Sequence, residues 1–179
     1  MRINLYGGPG VGKSTLAAVA YAWLQQHDYS AELVREWVKV WAYRGRRIKP
    51  FDYVYTFANQ LHAEDRLLQE GVEILVTDSP VYLQCMYAAK HQMRAASELR
   101  YIAKWFEETY PSVNFFVDRA QFAVYEQAGR YEDLGAAMEM DQYILTCLQA
   151  WHIPFDRISP HSKPCDWLSP RIKQERKRV

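Results

Sequence analysis

Gly7-Gly8-Pro9-Gly10-Val11-Gly12-Lys13-Ser14 lies between a short, mostly apolar run, Met1 to Tyr6, and a stretch from Ser14 to Gln26 in which Leu16, Val19, Ala20, Trp23 and Leu24 recur at helical spacing. Strand, glycine-rich loop, helix is the context that separates a working phosphate loop from a chance match to glycine, four residues, glycine-lysine-serine. The glycines let the backbone bend so that successive N–H groups face an anion, and the start of the helix adds its positive dipole end. Lys13 is therefore expected to reach the β- and γ-phosphates of a bound purine nucleoside triphosphate, with ATP the expected donor. Ser14 is expected to ligate Mg²⁺ through its hydroxyl, and Thr15 to support the first helical turn. The segment Gly7 to Thr15 is the expected nucleotide-binding element.

Outward from that loop, strands and helices alternate. A second strand is expected at about Ala31 to Arg35, ending in Glu36, then a helix carrying Trp37, Val40 and Trp41. Helical spacing returns from Asp52 to about Gln69. Glu73-Ile74-Leu75-Val76-Thr77-Asp78 reads as a buried parallel strand, since its apolar run is continuous and its carboxylate arrives last. Val81 to Thr109 is helix-prone with a break expected near His91. Val113 to Asp118 is a fourth strand, Leu134 to Trp151 a helix, and Phe155 to Ile158 a fifth strand. The pattern predicts an α/β P-loop NTPase fold, a parallel five-stranded sheet flanked by helices, with ligands outside the C-terminal strand ends. Gly7, Glu36, Asp78 and Asp118 all fall at such ends.

Composition sets the frame. A chain of 179 residues that is 49% hydrophobic and 24% charged has enough apolar surface for one buried core. With 22 basic and 21 acidic residues, it has no global field to draw it onto a polyanion, so any such contact must be local. Cys85, Cys147 and Cys165 are odd in number and widely separated, and point to neither a disulfide framework nor a zinc site. No apolar stretch is long enough for a membrane span, and a cytoplasmic location with no membrane partner is the expectation. Residues 1–162 are expected to form the kinase-like domain, with a lid near 119–133. The segment 163–179, with proline dipeptides and little apolar content, is read as an irregular tail. Its end, Arg171 to Val179, has five basic residues against one acidic, which suits either salt-sensitive contact with DNA phosphates or simple solubility.

Several side chains carry candidate chemistry. Asp78 stands where P-loop proteins hold a carboxylate against the magnesium shell, though it also suits capping of the helix opened by Ser79-Pro80. Glu36 faces the same crevice and is positioned to accept a proton from an attacking hydroxyl, or to stabilise a helix's first turn. Arg119 and Arg130 bracket a polar connection containing Tyr125, Glu126, Gln127 and Gly129. That composition fits a cover that brings guanidinium groups onto transferring phosphate oxygens, or a solvated surface loop. Just after Glu36, Trp37, Trp41, Tyr43, Tyr53, Tyr55 and Phe57 interleave with Lys39, Arg44, Arg46, Arg47 and Lys49. Trp37, Trp41, Arg44 and Tyr53 are the candidate acceptor contacts, the alternative being core rings and a solvated basic face.

Taken in order, Gly7 to Thr15, Val34-Arg35-Glu36, Thr77-Asp78-Ser79-Pro80, and Val117-Asp118-Arg119 followed by Tyr125 to Tyr131 and Asp141 resemble the small P-loop kinases. That group includes nicotinamide riboside kinase domains and many phage-encoded ATP-binding kinases. The resemblance implies a glutamate base at Glu36 and a phosphate-facing acidic residue at Asp78, as in deoxynucleoside kinases. Here Ser79-Pro80 replaces the arginine-serine that follows in those enzymes, which leaves the acceptor open. One branch that the chain looks like phosphorylates 5-hydroxymethyluracil within phage DNA. The expected activity is transfer of the γ-phosphoryl group of ATP to a hydroxyl of a nucleoside-type acceptor, with that modified base preferred. The alternatives are a free nucleoside or nucleotide, and an ATPase switch in which water replaces the acceptor.

Overall fold

The computed structural model describes residues 1–120, 125, 126 and 128–175. Along the chain come β1 (Arg2–Tyr6), α1 (Lys13–Gln26), β2 (Ala31–Val34), α2 (Lys39–Tyr43), α3 (Asp52–Gln69) and β3 (Ile74–Thr77). They are followed by α4 (Val81–Lys90), α5 (Ala96–Thr109), β4 (Ser112–Val117), α6 (Leu134–Ala150), β5 (Asp156–Ile158) and α7 (Pro164–Glu175). The five strands form one sheet in the order β2-β3-β1-β4-β5, and every pairing is parallel. Each strand accordingly returns through a helical crossover, as parallel pairing demands. The break expected near His91 separates α4 from α5, where Gln92 takes a positive φ of 55°.

Alternation along β1 divides the interior. Ile3 and Leu5 point to the face covered by α1 and α7, packing with Leu16, Ala20, Leu24 and Leu168. Tyr6 points to the other face, among Phe57, Leu83, Met86, Phe106 and Ile144 from α3 to α6. Arg2 and Asn4 also lie on the Tyr6 side, where polar groups need partners because burial strips them of water. Asn4 Nδ2 donates to Asn114 Oδ1 at 2.9 Å. Arg2, only 2% exposed, pairs with Glu64 at 3.0 Å and with Glu107. Burial pushes the Glu64 carboxyl pKa up, and Arg2 and Gln60 pull it back.

The irregular tail expected from Lys163 onward is instead a helix as far as residue 175. Trp167, Leu168 and Ile172 are buried at 6%, 0% and 3% exposure, and the Trp167 ring meets Phe115 edge-on at 4.7 Å. Three apolar residues suffice because they fill a groove left beside α1, a tertiary fact with no periodic signature. Pro164 suits the first helical position, where the missing N–H costs nothing. Pro170 inside the helix forfeits a hydrogen bond, which the packing outweighs. The terminal Arg176-Lys177-Arg178-Val179, which carries most of the basic charge read from the tail, lies outside the described residues. No helix among those described is long and apolar enough to cross a membrane.

Candidate active site

Because β1 and β3 are neighbours, with Asn4 in register with Thr77, the loop that leaves β1 and the carboxylate that ends β3 emerge side by side. Gly12 caps α1 with φ of 96°, a left-handed backbone that a side chain would strain, and its carbonyl accepts from Leu16 N at 2.9 Å. Lys13 Nζ folds across the loop to donate to the carbonyls of Gly7 at 2.7 Å and Gly8 at 2.9 Å. Burial lowers its pKa, while Glu36, Asp78 and Asp141 pull it back up. Ser14 and Thr15 follow in the first turn of α1, with Val11 packed beneath at 3% exposure.

One N–H of the loop is already taken. Gly8 N donates to Asp141 Oδ1 at 2.6 Å and so faces α6. A Cβ at Gly8 would stand 2.5 Å from that carboxylate oxygen and 2.7 Å from the Ala137 carbonyl; only glycine permits this approach. Asp141 also accepts from Arg119 Nε at 2.6 Å, and Arg119 Nη2 donates to the Pro9 carbonyl at 2.8 Å. Arg119, expected on transferring phosphate oxygens, is thus a brace that ties β4's exit to the loop and α6. Asp118 is occupied by Arg157 at 2.6 Å.

Beside the loop opens a cavity of about 430 Å³, within the size range of small-molecule sites. Pro9, Lys13, Glu36 and Asp78 line it, together with Tyr53, Thr56, Leu83, Gln84, Tyr87 and His91 and with Arg130 to Asp133. Asp78 is 3% exposed, and its Oδ1 accepts from Glu36 N at 3.0 Å, which fixes the two acidic residues relative to one another. Glu36 is exposed as a residue but lines this recess. Desolvation there raises its carboxyl pKa, Asp78 adds to the rise, and Lys13 opposes it. A carboxylate whose pKa is raised is a stronger base than an ordinary one and is suited to taking a proton from a hydroxyl. Burial and the nearby Glu132 push the Tyr53 hydroxyl up to about 12.

The donor set suits Mg²⁺. Ser14 Oγ and Asp78 Oδ2 are hard oxygen donors that take part in no hydrogen bond among the described residues, and Mg²⁺ is commonly held by one or two such groups together with substrate phosphates.

Of the expected acceptor contacts, only Tyr53 lines the cavity. The cavity is lined from this segment by Val38, Lys39 and Ala42, at the start of and within the short helix α2, while Trp37, just before the helix, and Trp41, within it, do not line it. Trp41 is buried against Tyr55 at 5.9 Å with the Arg46 guanidinium stacked 3.6 Å above it, and Trp37 meets both rings edge-on or nearly so. Arg44 is exposed and outside the cavity. Sequence reasoning passed over Gln84, Tyr87 and His91, because helical residues of these types read as ordinary core or surface until the helix is placed.

Part of the 119–133 connection, residues 121–124 and Gln127, lies outside the described residues. What is described spans the two halves of the site. The Tyr125 ring packs on Gly10, Gly129 packs on the Tyr43 ring, and Tyr131 Oη donates to the Arg46 carbonyl at 2.7 Å. Arg130 lines the cavity with its guanidinium 5.2 Å from the Tyr125 ring.

A family model described as an AAA domain matches residues 2–163. No curated protein matches the chain.

Proposed function

Because the chain belongs to this AAA-domain family, a P-loop NTPase family whose domains bind nucleotide, we propose that it transfers the γ-phosphoryl group of ATP to a hydroxyl of a nucleoside-type acceptor. The observation that carries this reading is the cavity itself. It adjoins the phosphate loop, shares Pro9 and Lys13 with it, and is also lined by Asp78 and by Glu36, a carboxylate that can take a hydroxyl proton. A switch that uses water as its nucleophile has no need of a recess of that size.

The chemistry balances within this set. The acceptor oxygen bonds to the γ-phosphorus as the bond from phosphorus to the β,γ-bridging oxygen breaks, ADP leaves, and the hydroxyl proton passes to Glu36. Lys13 faces the charge that builds on the phosphate oxygens, and Arg130, which also lines the cavity, steadies it. Ser14 and Asp78 would hold Mg²⁺, which would neutralise phosphate charge. Tyr53, Tyr87 and Leu83 supply flat and apolar walls that orient a ring and exclude water.

The DNA-borne acceptor, 5-hydroxymethyluracil, has its own support. Lys39, which lines the cavity, is followed in the same segment by exposed Arg44, Arg46, Arg47 and Lys49, with exposed Trp37, Tyr43 and Phe51 nearby in sequence, a mixture of cations and rings that suits a single strand. The test is a transfer assay with γ-labelled ATP offered to free nucleosides, nucleotides, and single-stranded and duplex DNA containing the modified base. Label on an acceptor, lost in Lys13→Ala, is the expected result. Label on free nucleosides alone would remove the DNA reading, and release of inorganic phosphate alone would remove the kinase.

A further inference from the structure

Gln84 lines the cavity, and phosphoryl transfer as just described does not use it. It is a polar side chain only 7% exposed, and such groups are retained where they are fully paired or where a ligand completes them. Its Nε2 donates to Ser79 Oγ at 2.7 Å. Ser79 is held in turn, its backbone N–H donating to Thr77 Oγ1 at 3.2 Å, which also accepts from Gln60 Nε2 at 3.1 Å. Gln60 Nε2 donates to Glu64 Oε1 at 2.7 Å, and Glu64 pairs with Arg2 at 3.0 Å. A buried chain of polar side chains therefore runs from the start of β1 to the cavity and fixes the plane of the Gln84 carboxamide.

A carboxamide offers two N–H donors and two acceptor positions. One N–H is spent on Ser79. The carbonyl oxygen takes no hydrogen bond among the described residues and is not sealed from the cavity. With its second N–H it forms a donor and an acceptor side by side. Leu83 and Tyr87, one turn apart on the same helix, and Tyr53, stacked on His91 at 5.6 Å, line the same cavity and supply it with apolar and aromatic surface.

We infer that Gln84 selects the acceptor by pairing with a lactam or carboxamide edge, an N–H beside a C=O, on a planar ring held between these walls. This rests on the phosphotransferase reading of the cavity and adds the class of ring that it takes. A pyrimidine such as uracil has that edge, and methylation of its ring N–H destroys it without altering the hydroxyl that receives phosphate. Sites that hydrogen-bond a substrate reject analogues that leave a buried partner unpaired.

The experiment compares hydroxymethylated uracil nucleosides with their N3-methyl derivatives, as acceptors and by calorimetry in the presence of a non-hydrolysable MgATP analogue. The wild-type chain is expected to prefer the unmethylated nucleoside by about 100-fold, through acceptor KM more than kcat. Gln84→Leu is expected to bring that ratio close to one with the KM for ATP unchanged. Gln84→Met, close in shape but with neither donor nor acceptor to pair, should do the same and guards against a leucine variant that fails to fold. Discrimination that survives in a folded variant overturns the inference, as does a wild-type chain indifferent to methylation. Methylation-sensitive binding without turnover, lost in the variants, supports it while overturning phosphoryl transfer, so the two failures are distinguishable.

Discussion

The phosphate loop and the cavity beside it share Pro9 and Lys13, yet they are built in opposite ways. The loop is one unbroken stretch in which backbone geometry does the binding, and its side chains matter at few places. The cavity is gathered from the loop, the α2 region, α3, α4 and the connection before α6, and side chains define it throughout. An anion grip can therefore be conferred by a local motif, whereas a choice of acceptor depends on how distant segments pack. Damage should follow the same division: changes in the loop should abolish turnover of every acceptor, and changes in the cavity should alter which acceptor is used.

The largest effect should come where the two regions meet. Lys13→Ala removes the ammonium that faces the developing phosphate charge, and kcat is expected to fall by about 10²- to 10³-fold for all acceptors, as read by γ-label transfer. A loss confined to one acceptor would break the comparison.

Leu168→Ala tests whether the comparison is confined to the site. Leu168, on α7, is fully buried and does not line the cavity. Its truncation is expected to cost roughly 3 kcal/mol and to lower Tm by roughly 6–12 °C, measured by calorimetry, with the KM for ATP and acceptor unchanged below the transition. Stability that survives would mean that α7 is not part of the packed domain.

Glu36→Gln sharpens the comparison. The expected loss in kcat is about 10²-fold, with acceptor binding retained. The pH profile is the more telling readout. A base must be ionised, and burial raises the pKa of this carboxyl. The wild-type rate should therefore fall as pH drops through a value above the ordinary carboxylate range, and the glutamine variant should lack that limb.

The smallest effects belong to the basic segment that follows Lys39. Arg47→Gln or Lys49→Gln should each lower the slope of log affinity for single-stranded DNA against log salt by about one, with no change in ATP binding. An unchanged slope would place that strand elsewhere or nowhere.

The fold was legible because β3 is a short continuous apolar run, the strands beside it are short and largely apolar, and Gly12-Lys13-Ser14 anchors the first crossover. Helix α7 was not, since Trp167, Leu168 and Ile172 are too few to set a period and acquire meaning only against α1 and Phe115. In the site, Lys13, Glu36 and Asp78 were readable from their places after strands, and they line one cavity. Arg119 was not, because an arginine next to a strand end looks the same whether it meets phosphate or, as here, Asp141 and the Pro9 carbonyl. Trp37, Trp41 and Arg44, read as acceptor contacts, do not line the cavity, because the segment around α2 turns Val38, Lys39 and Ala42 to it instead. A step of one residue on a helix turns the side chain by about 100°, enough to exchange the cavity wall for the neighbouring face.

The nucleophile that takes the γ-phosphoryl group can be identified directly by running turnover in ¹⁸O-enriched water with the acceptor panel present and weighing every phosphate-containing product. Transfer to a hydroxyl predicts a phosphomonoester free of solvent oxygen, formed only with acceptor and at the expense of inorganic phosphate. Solvent oxygen in inorganic phosphate as the main product, at a rate indifferent to every acceptor, would contradict it.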